Sequence, residues 1–210
     1  MDGVIACRRC QRLTAYRAAV RQEFPDYYCL PVDSFGDPSA RLLIVGLAPG
    51  KHGANATGRP FTGDASSRFL FETLHKFGFA NKANSVSLDD GVRLKFCRIT
   101  NAVKCLPPKN KPLNREINQC NRFLRQEIKI LSVGSIILAL GTIAHKAVLK
   151  ALDLPQKQYR FAHHARHQLA VGLSLIDSYH CSRYNTQTRR LTVEMFERVF
   201  ADIRLELGHD

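Results

Sequence analysis

The sequence predicts an α/β protein in which a parallel sheet is sandwiched between helices. Two observations carry that expectation. Four short apolar runs, at 41–47, 96–100, 136–140 and 173–179, alternate with segments of helical periodicity. Three of those runs deliver their most reactive side chains just past their C-terminal ends: Phe61 and Asp64, then Asn101, then His180. Ligands of open α/β sheets bind at that edge. The length of 210 residues suits one domain with a sizeable core, spanning 1–210.

Residues 7–24 read as a helix, with Leu13, Tyr16, Ala19, Val20 and Phe24 approximating an apolar stripe closed by Pro25. Cys7-Arg8-Arg9-Cys10 lies at its start. Residues 25–40 form an irregular connector broken by Pro31, Gly36 and Pro38. The first strand, centred on Leu42-Leu43-Ile44-Val45, opens into Gly46-Leu47-Ala48-Pro49-Gly50 and then Gly58-Arg59-Pro60-Phe61-Thr62-Gly63-Asp64. Glycines there let backbone approach a ligand closely. The loop is neither a P-loop, since three residues separate Gly46 from Gly50 and His52 follows Lys51, nor a dinucleotide fingerprint. A helix over 66–78 buries Phe69, Leu70, Leu74 and Phe77, and 80–95 is a polar excursion.

The second strand delivers Asn101-Ala102-Val103-Lys104-Cys105. Pro107, Pro108 and Pro112 forbid helix over 106–114. Asn114 is expected to cap a helix reaching about Leu131 that contains Cys120. The third strand ends at Gly141-Thr142, followed by a helix to 152. His163, His164 and His167 fall in a loop with no carboxylate or cysteine nearby in sequence to complete a metal set. After the fourth strand come His180-Cys181-Ser182-Arg183-Tyr184-Asn185, and Thr192 caps a last helix with Val193, Phe196, Val199, Phe200 and Ile203 inward.

The formal net charge is +13 and the sequence pI near 9.7, which predicts affinity for polyanions, nucleic acid first. The excess collects in loops, at Lys104, Lys109 and Lys111 and again at Arg183, Arg189 and Arg190. No secretory signal opens the chain, and the apolar stretch near 135–144 is too short to span a bilayer, so a cytoplasmic protein without membrane contact is expected. In that setting the seven cysteines argue against a disulfide framework. Cys7, Cys10, Cys105 and Cys120 make a four-thiolate set that by spacing alone suits zinc or an iron–sulfur cluster equally. Cys29, Cys97 and Cys181 read as small buried hydrophobes.

The motifs C-R-R-C at 7–10, G-L-A-P-G-K-H-G-A-N at 46–55, G-R-P-F-T-G-D at 58–64, T-N-A-V-K-C-L-P-P at 100–108 and S-Y-H-C-S-R-Y-N-T at 178–186 resemble, in the same order, those of the iron–sulfur uracil-DNA glycosylases, type b, family five. The resemblance implies a three-layer α/β/α sandwich with a central four-stranded parallel sheet. It implies a [4Fe–4S] cluster on Cys7, Cys10, Cys105 and Cys120, and excision of uracil and other deaminated or modified bases from DNA. Gly46-Leu47-Ala48 aligns with the water-activating motif, without the acid or amide of other branches. One departure is Cys181, where the family usually has proline after the histidine.

Beside that resemblance, the residues support a glycosylase chemistry. Phe61 offers a stacking floor for a flipped base, with Gly46, Leu47 and Ala48 beside it. Asn101 can read a pyrimidine edge as donor and acceptor. His180 can donate to the departing base oxygen, and Asp64 can face the sugar cation or merely cap the next helix. Lys104, Lys109 and Lys111 are expected on the DNA track, and Arg183 and Tyr184 are candidate wedges. A monomer acting on uracil-containing DNA is expected. The rival readings are a non-catalytic DNA-binding module with a structural four-cysteine metal, and a cluster-dependent redox enzyme, for which no cofactor fingerprint is present.

Overall fold

Leu42, Leu43, Ile44 and Val45 are all sealed from solvent. Because successive strand side chains point to opposite faces, such a run must be covered on both. The computed structural model, which describes residues 3–169 and 171–208, covers it in that way. Its elements run α1 (Gln11–Glu23), β1 (Phe35–Gly36), β2 (Leu42–Gly46), α2 (Ala54–Thr57), α3 (Ala65–Lys76), β3 (Cys97–Asn101), α4 (Asn114–Lys129), β4 (Ile136–Leu140), α5 (Thr142–Ala151), β5 (Arg166–Gln168), β6 (Ser174–Ser178), α6 (Arg183–Gln187) and α7 (Val193–Leu207).

The sheet order is β1-β3-β2-β4-β6-β5. The four central strands are parallel, and β1 and β5 add antiparallel margins. The expected parallel four-strand core is therefore present, with two short edge strands added. Leu42, Ile44, Leu138, Leu140 and Ile176 meet Leu70, Phe71 and Leu74 of α3 and Phe196, Val199, Phe200 and Ile203 of α7. The intervening residues Leu43, Val45, Ile137, Ala139 and Leu175 meet Leu124 and Ile128 of α4 and Ala144, Ala147 and Val148 of α5. Three layers result, with each buried Leu, Ile or Phe contributing about 1.5–3 kcal/mol.

Three local expectations are corrected. The first helix starts at Gln11, so Cys7-Arg8-Arg9-Cys10 is an irregular lead-in to it, preceded by a turn that the Cys7 N–H closes on the Val4 carbonyl. Asn114 is the first residue of α4 rather than its cap; the Glu116 carboxylate reaches back to the Leu113 N–H at 2.8 Å and satisfies that donor. His167 belongs to β5, not to a loop. Thr192 does cap α7, accepting from the Met195 N–H, and Asp64 caps α3. Among the described residues no helix is long and apolar enough to cross a membrane.

Candidate active site

The parallel register sets Gly46 opposite Asn101 at the carboxyl ends of β2 and β3. A Cβ at Gly46 would stand 2.5 Å from Asn101 Oδ1 and 2.6 Å from the Phe61 ring. Only the bare glycine lets both side chains close over the strand end. Asn101 is 3% exposed, and its side chain makes no hydrogen bond among the described residues, so the amide stays uncommitted. Phe61 sits in the left-handed region at φ 49°, a conformation that a non-glycine residue adopts at a cost of about 1–3 kcal/mol.

Neighbouring bonds hold it there. Arg59 is buried and donates to Thr62 Oγ1 at 3.0 Å and Ser85 Oγ at 2.7 Å, and it pairs with Asp90. The Gly63 N–H and the Ser67 hydroxyl both donate to the Ser85 carbonyl. The polar excursion after α3 is thus the splint of the Phe61 loop, a role the sequence reading missed because the partners lie about thirty residues apart.

Phe61, Asn101, Asp64 and His180 line one cavity of about 360 Å³, with Leu47 and Ala48 on its wall. The Phe61 and His180 rings lie nearly parallel, their centroids 5.9 Å apart. His180 Nδ1 is shut from solvent and unpartnered among the described residues, and burial pushes the imidazole down to about 4. His180 is accordingly neutral near pH 7. Its backbone is fixed by Asn185 Nδ2, which donates to the His180 carbonyl at 2.8 Å, while Ser182 caps α6. Those bonds restrain the loop where Cys181 replaces the proline; the Cys181 thiol itself is buried under the Ser66 carbonyl.

Asp64 serves as a cap and lines the cavity at once. Its Oδ1 accepts from the Ser67 N–H at 2.9 Å, and a Cβ at Gly53 would run into the same carboxylate. Burial raises its pKa above the ordinary carboxylate value, partly offset by the Ser67 and Ser66 N–H groups. No Lys, Arg or His pairs with Asp64 among the described residues, in contrast to Asp90.

Two further groups of lining residues were not anticipated. Gly141, Thr142 and Ile143, where β4 passes into α5, form one wall, so all four parallel strands end at the cavity. Asn110 forms part of the rim. The strand-end rule that found the other three would have found Gly141 as well.

Lys109 and Lys111 flank Asn110 and are exposed, and the Lys111 carbonyl is tied to α1 through Arg12. Arg183 and Tyr184 project from the first turn of α6, Tyr184 being 71% exposed. Lys104 is a correction: it is 1% exposed and paired with Glu127 at 2.8 Å, with Thr100 alongside. No phosphate can reach it. Charged groups of this kind are buried only when matched, and breaking such a pair costs about 3–5 kcal/mol; its work is to join β3 to α4.

Cys7, Cys10, Cys105 and Cys120 converge on a second, small cavity between α1 and α4. Burial holds Cys10 above the usual thiol range and pushes Cys105 up to about 11 and Cys120 up to about 12. The Lys104 N–H donates to Cys120 Sγ at 3.2 Å. Arg17 is buried beside the set, and its Nε and Nη2 have no partner among the described residues. Cys29, Cys97 and Cys181 lie elsewhere and are buried.

The family profile described as "Uracil DNA glycosylase superfamily" matches residues 34–204. The chain is 46% identical over 213 residues to the "Type-5 uracil-DNA glycosylase" of Thermus thermophilus, covering 99% of this chain and 97% of that protein. It is 42% identical over 212 residues to the protein of the same description from Pyrobaculum aerophilum, covering 99% and 92%. The crystal structure of WT Pedobacter heparinus SMUG2 overlays with a TM-score of 0.50 at 17% identity, over 92% of this chain and 85% of that one, a likeness of fold alone.

The Asp90 splint gives a pH-dependent prediction. Burial works against its charge, but N–H groups of Val92, Val86 and Ser87 and the Arg59 guanidinium outweigh it and bring the carboxyl down to about 2. A depressed carboxylate contributes stability that is present above its unfolded value and lost as pH falls toward the folded one. Asp90→Asn should therefore cost about 1–2 kcal/mol near neutrality in urea melts, after allowance for solvent screening. The difference from wild type should shrink as pH falls from about 4 toward 2. A constant difference across that window would mean that shape, not charge, holds the splint.

Proposed function

The chain belongs to the uracil DNA glycosylase superfamily, and we propose that its excision of uracil from DNA runs in the 360 Å³ cavity, with Asp64, Asn101 and His180 acting around a base stacked on Phe61. The convergence of those four side chains on one cavity is the observation that carries the reading. The reaction is hydrolysis of the N-glycosidic bond: water oxygen bonds to C1′ of the sugar, the C1′–N bond breaks, and the second proton of water goes to the base and its surroundings. The bond is inaccessible within the stack, so the nucleotide must first be flipped out.

Each residue has a part consistent with its surroundings. Phe61 supplies a stacking face worth about 1–3 kcal/mol. The Asn101 amide, left without an internal partner, is free to pair with a pyrimidine edge. Gly46 permits both, and Leu47 and Ala48 give an apolar wall that tolerates other deaminated or modified bases. As the C1′–N bond stretches, negative charge gathers on the base, and the neutral His180 ring donates an N–H to it; such a donor is worth roughly 10²–10³ in rate. Positive charge gathers on the sugar. Asp64 lacks a cationic partner, and that developing cation can supply one.

The four cysteines fit an iron–sulfur cluster. Four thiolates gathered on one small cavity are a donor set that such a cluster takes. Arg17 offers a buried positive charge to an anionic cluster, and thiols pushed this high stay protonated unless a metal displaces the proton. We read the group as a [4Fe–4S] cluster on Cys7, Cys10, Cys105 and Cys120, which would brace the loop after Asn101 without entering the reaction. Lys109 and Lys111 flank Asn110, and Arg183 and Tyr184 follow Ser182; Asn110 and Ser182 both line the cavity. We read the four as DNA contacts, the last two as wedge candidates. All these groups come from one chain, so a monomer suffices.

Asp64→Asn is the decisive variant, because asparagine caps helices as well as aspartate. Removing a charge about 4 Å from the cation, at an effective dielectric near 20, forfeits on the order of 4 kcal/mol. Single-turnover excision from a uracil duplex should fall by about two to three orders of magnitude, with melting temperature and DNA affinity held. A loss below about fivefold would reduce Asp64 to a cap. On the DNA side, replacing Lys109 and Lys111 together by alanine should weaken binding to all sequences alike. It should also lower the slope of log affinity against log salt by roughly one to two. An unchanged slope would take both lysines off the DNA path.

A further inference from the structure

Three carboxylates are almost wholly excluded from solvent: Glu116, Glu127 and Asp177. A buried charge is costly unless matched by an opposite charge or a metal. Glu127 has Lys104 at 2.8 Å and Glu116 has Arg12 at 2.7 Å. Asp177 is 0% exposed, yet no lysine or arginine pairs with it among the described residues. Its Oδ1 lies 2.8 Å from His145 Nδ1 and its Oδ2 lies 3.3 Å from His167 Nε2.

We propose that the missing positive charge is a divalent transition-metal ion of the zinc class, held by His145 Nδ1, His167 Nε2 and the Asp177 carboxylate. The three donor atoms lie within 4.8 Å of one another and come from α5, β5 and β6, which no local sequence spacing would reveal. The far side of His145 is already arranged for a ligand, since Nε2 donates to the Tyr159 carbonyl at 3.0 Å. Ligating histidines are oriented by such a bond. The Phe161 ring meets the His145 edge and the Tyr159 ring meets His167, both at 5.7 Å between centroids, so aromatic rings pack against both imidazoles.

Two imidazoles and one carboxylate on zinc at about 2.0–2.1 Å would stand about 3.3 Å apart. The His167 pair already has that spacing, and the His145 pair must open by about half an ångström. Three protein donors leave a position for water, reached past His167, whose side chain is 15% exposed. On binding, His145 gives up its Nδ1 proton to solvent and keeps the one on Nε2, while His167 presents a bare Nε2. The competing arrangement is a proton in place of the metal: as hydrogen bonds alone, a carboxylate on one side and a carbonyl on the other demand an N–H at both ring nitrogens of His145. Either cation would pin α5, whose first residues wall the cavity, to β6, which leads to His180 three residues beyond Asp177. The site is separate from the four cysteines and independent of the base-excision reading.

The test loads purified protein, with its iron content measured, by dialysis against zinc sulfate and then removes free zinc. His167→Ala is the control, because this edge-strand side chain is partly exposed and its loss leaves the core intact. Wild type should retain about one zinc per chain and His167→Ala at least about tenfold less, with iron equal in both. Zinc should also raise the melting temperature of wild type and not of the variant. Wild type holding no more zinc than His167→Ala would overturn the proposal and assign the charge to an imidazolium. Equal zinc in both, accompanied by lost iron, would place the metal on the cysteines and overturn it as well.

Discussion

The absence of a single Cβ, at Gly46, governs the geometry of the cavity. Parallel pairing puts this residue beside Asn101 at the strand ends, and the Phe61 ring returns over it from a loop fifteen residues on. Strand register, the Asn101 amide and the Phe61 ring meet within one van der Waals contact. Any side chain at position 46 would have to push away the Asn101 amide and the Phe61 ring. The atoms it would strike are the ends of movable side chains rather than backbone. The penalty therefore falls on the site before it falls on the fold.

Around that contact the protein holds irregular loops with buried charge rather than with regular structure. Arg59 with Asp90 splints the Phe61 loop, and Arg12 with Glu116 ties α1 to the start of α4. Lys104 with Glu127 locks the segment between Asn101 and Cys105 onto α4. Isolated ion pairs add little net stability when buried, but they fix one arrangement among many. Fixed arrangement is what electrostatic catalysis needs, since the donors and the carboxylate must be aimed before charge develops. Cys7 and Cys10 lie just before α1, which precedes the span matched by the superfamily profile.

Much of this was legible in the chain. The four parallel strands announced themselves as apolar runs, and the strand-end rule brought Phe61, Asp64, Asn101 and His180 to one edge. The Asp64 and Thr192 caps followed from local chemistry. What escaped reading depended on partners distant in sequence. Lys104 resembled a loop lysine because Glu127, which neutralises it, lies 23 residues away. Asp177 was hidden within an apolar strand, and His145 on a helix 32 residues earlier gives no local sign of facing it. The strands β1 and β5 span two and three residues, too short to show a period. The capping of α4 fell to Glu116 instead of Asn114 because a carboxylate three residues into a helix can reach back to the free N–H.

The cavity depends most directly on the contact at Gly46, and single-turnover excision by Gly46→Ala measures it. With enzyme saturating over a uracil duplex, the methyl should displace Phe61 and Asn101 and lower the rate by about two orders of magnitude or more, roughly 3 kcal/mol of transition-state stabilisation. Affinity for undamaged DNA and its salt dependence should remain those of wild type, because the basic rim does not touch position 46. Excision by Gly46→Ala within about threefold of wild type would contradict the account: the base would then be held by something other than the two side chains this glycine lets in.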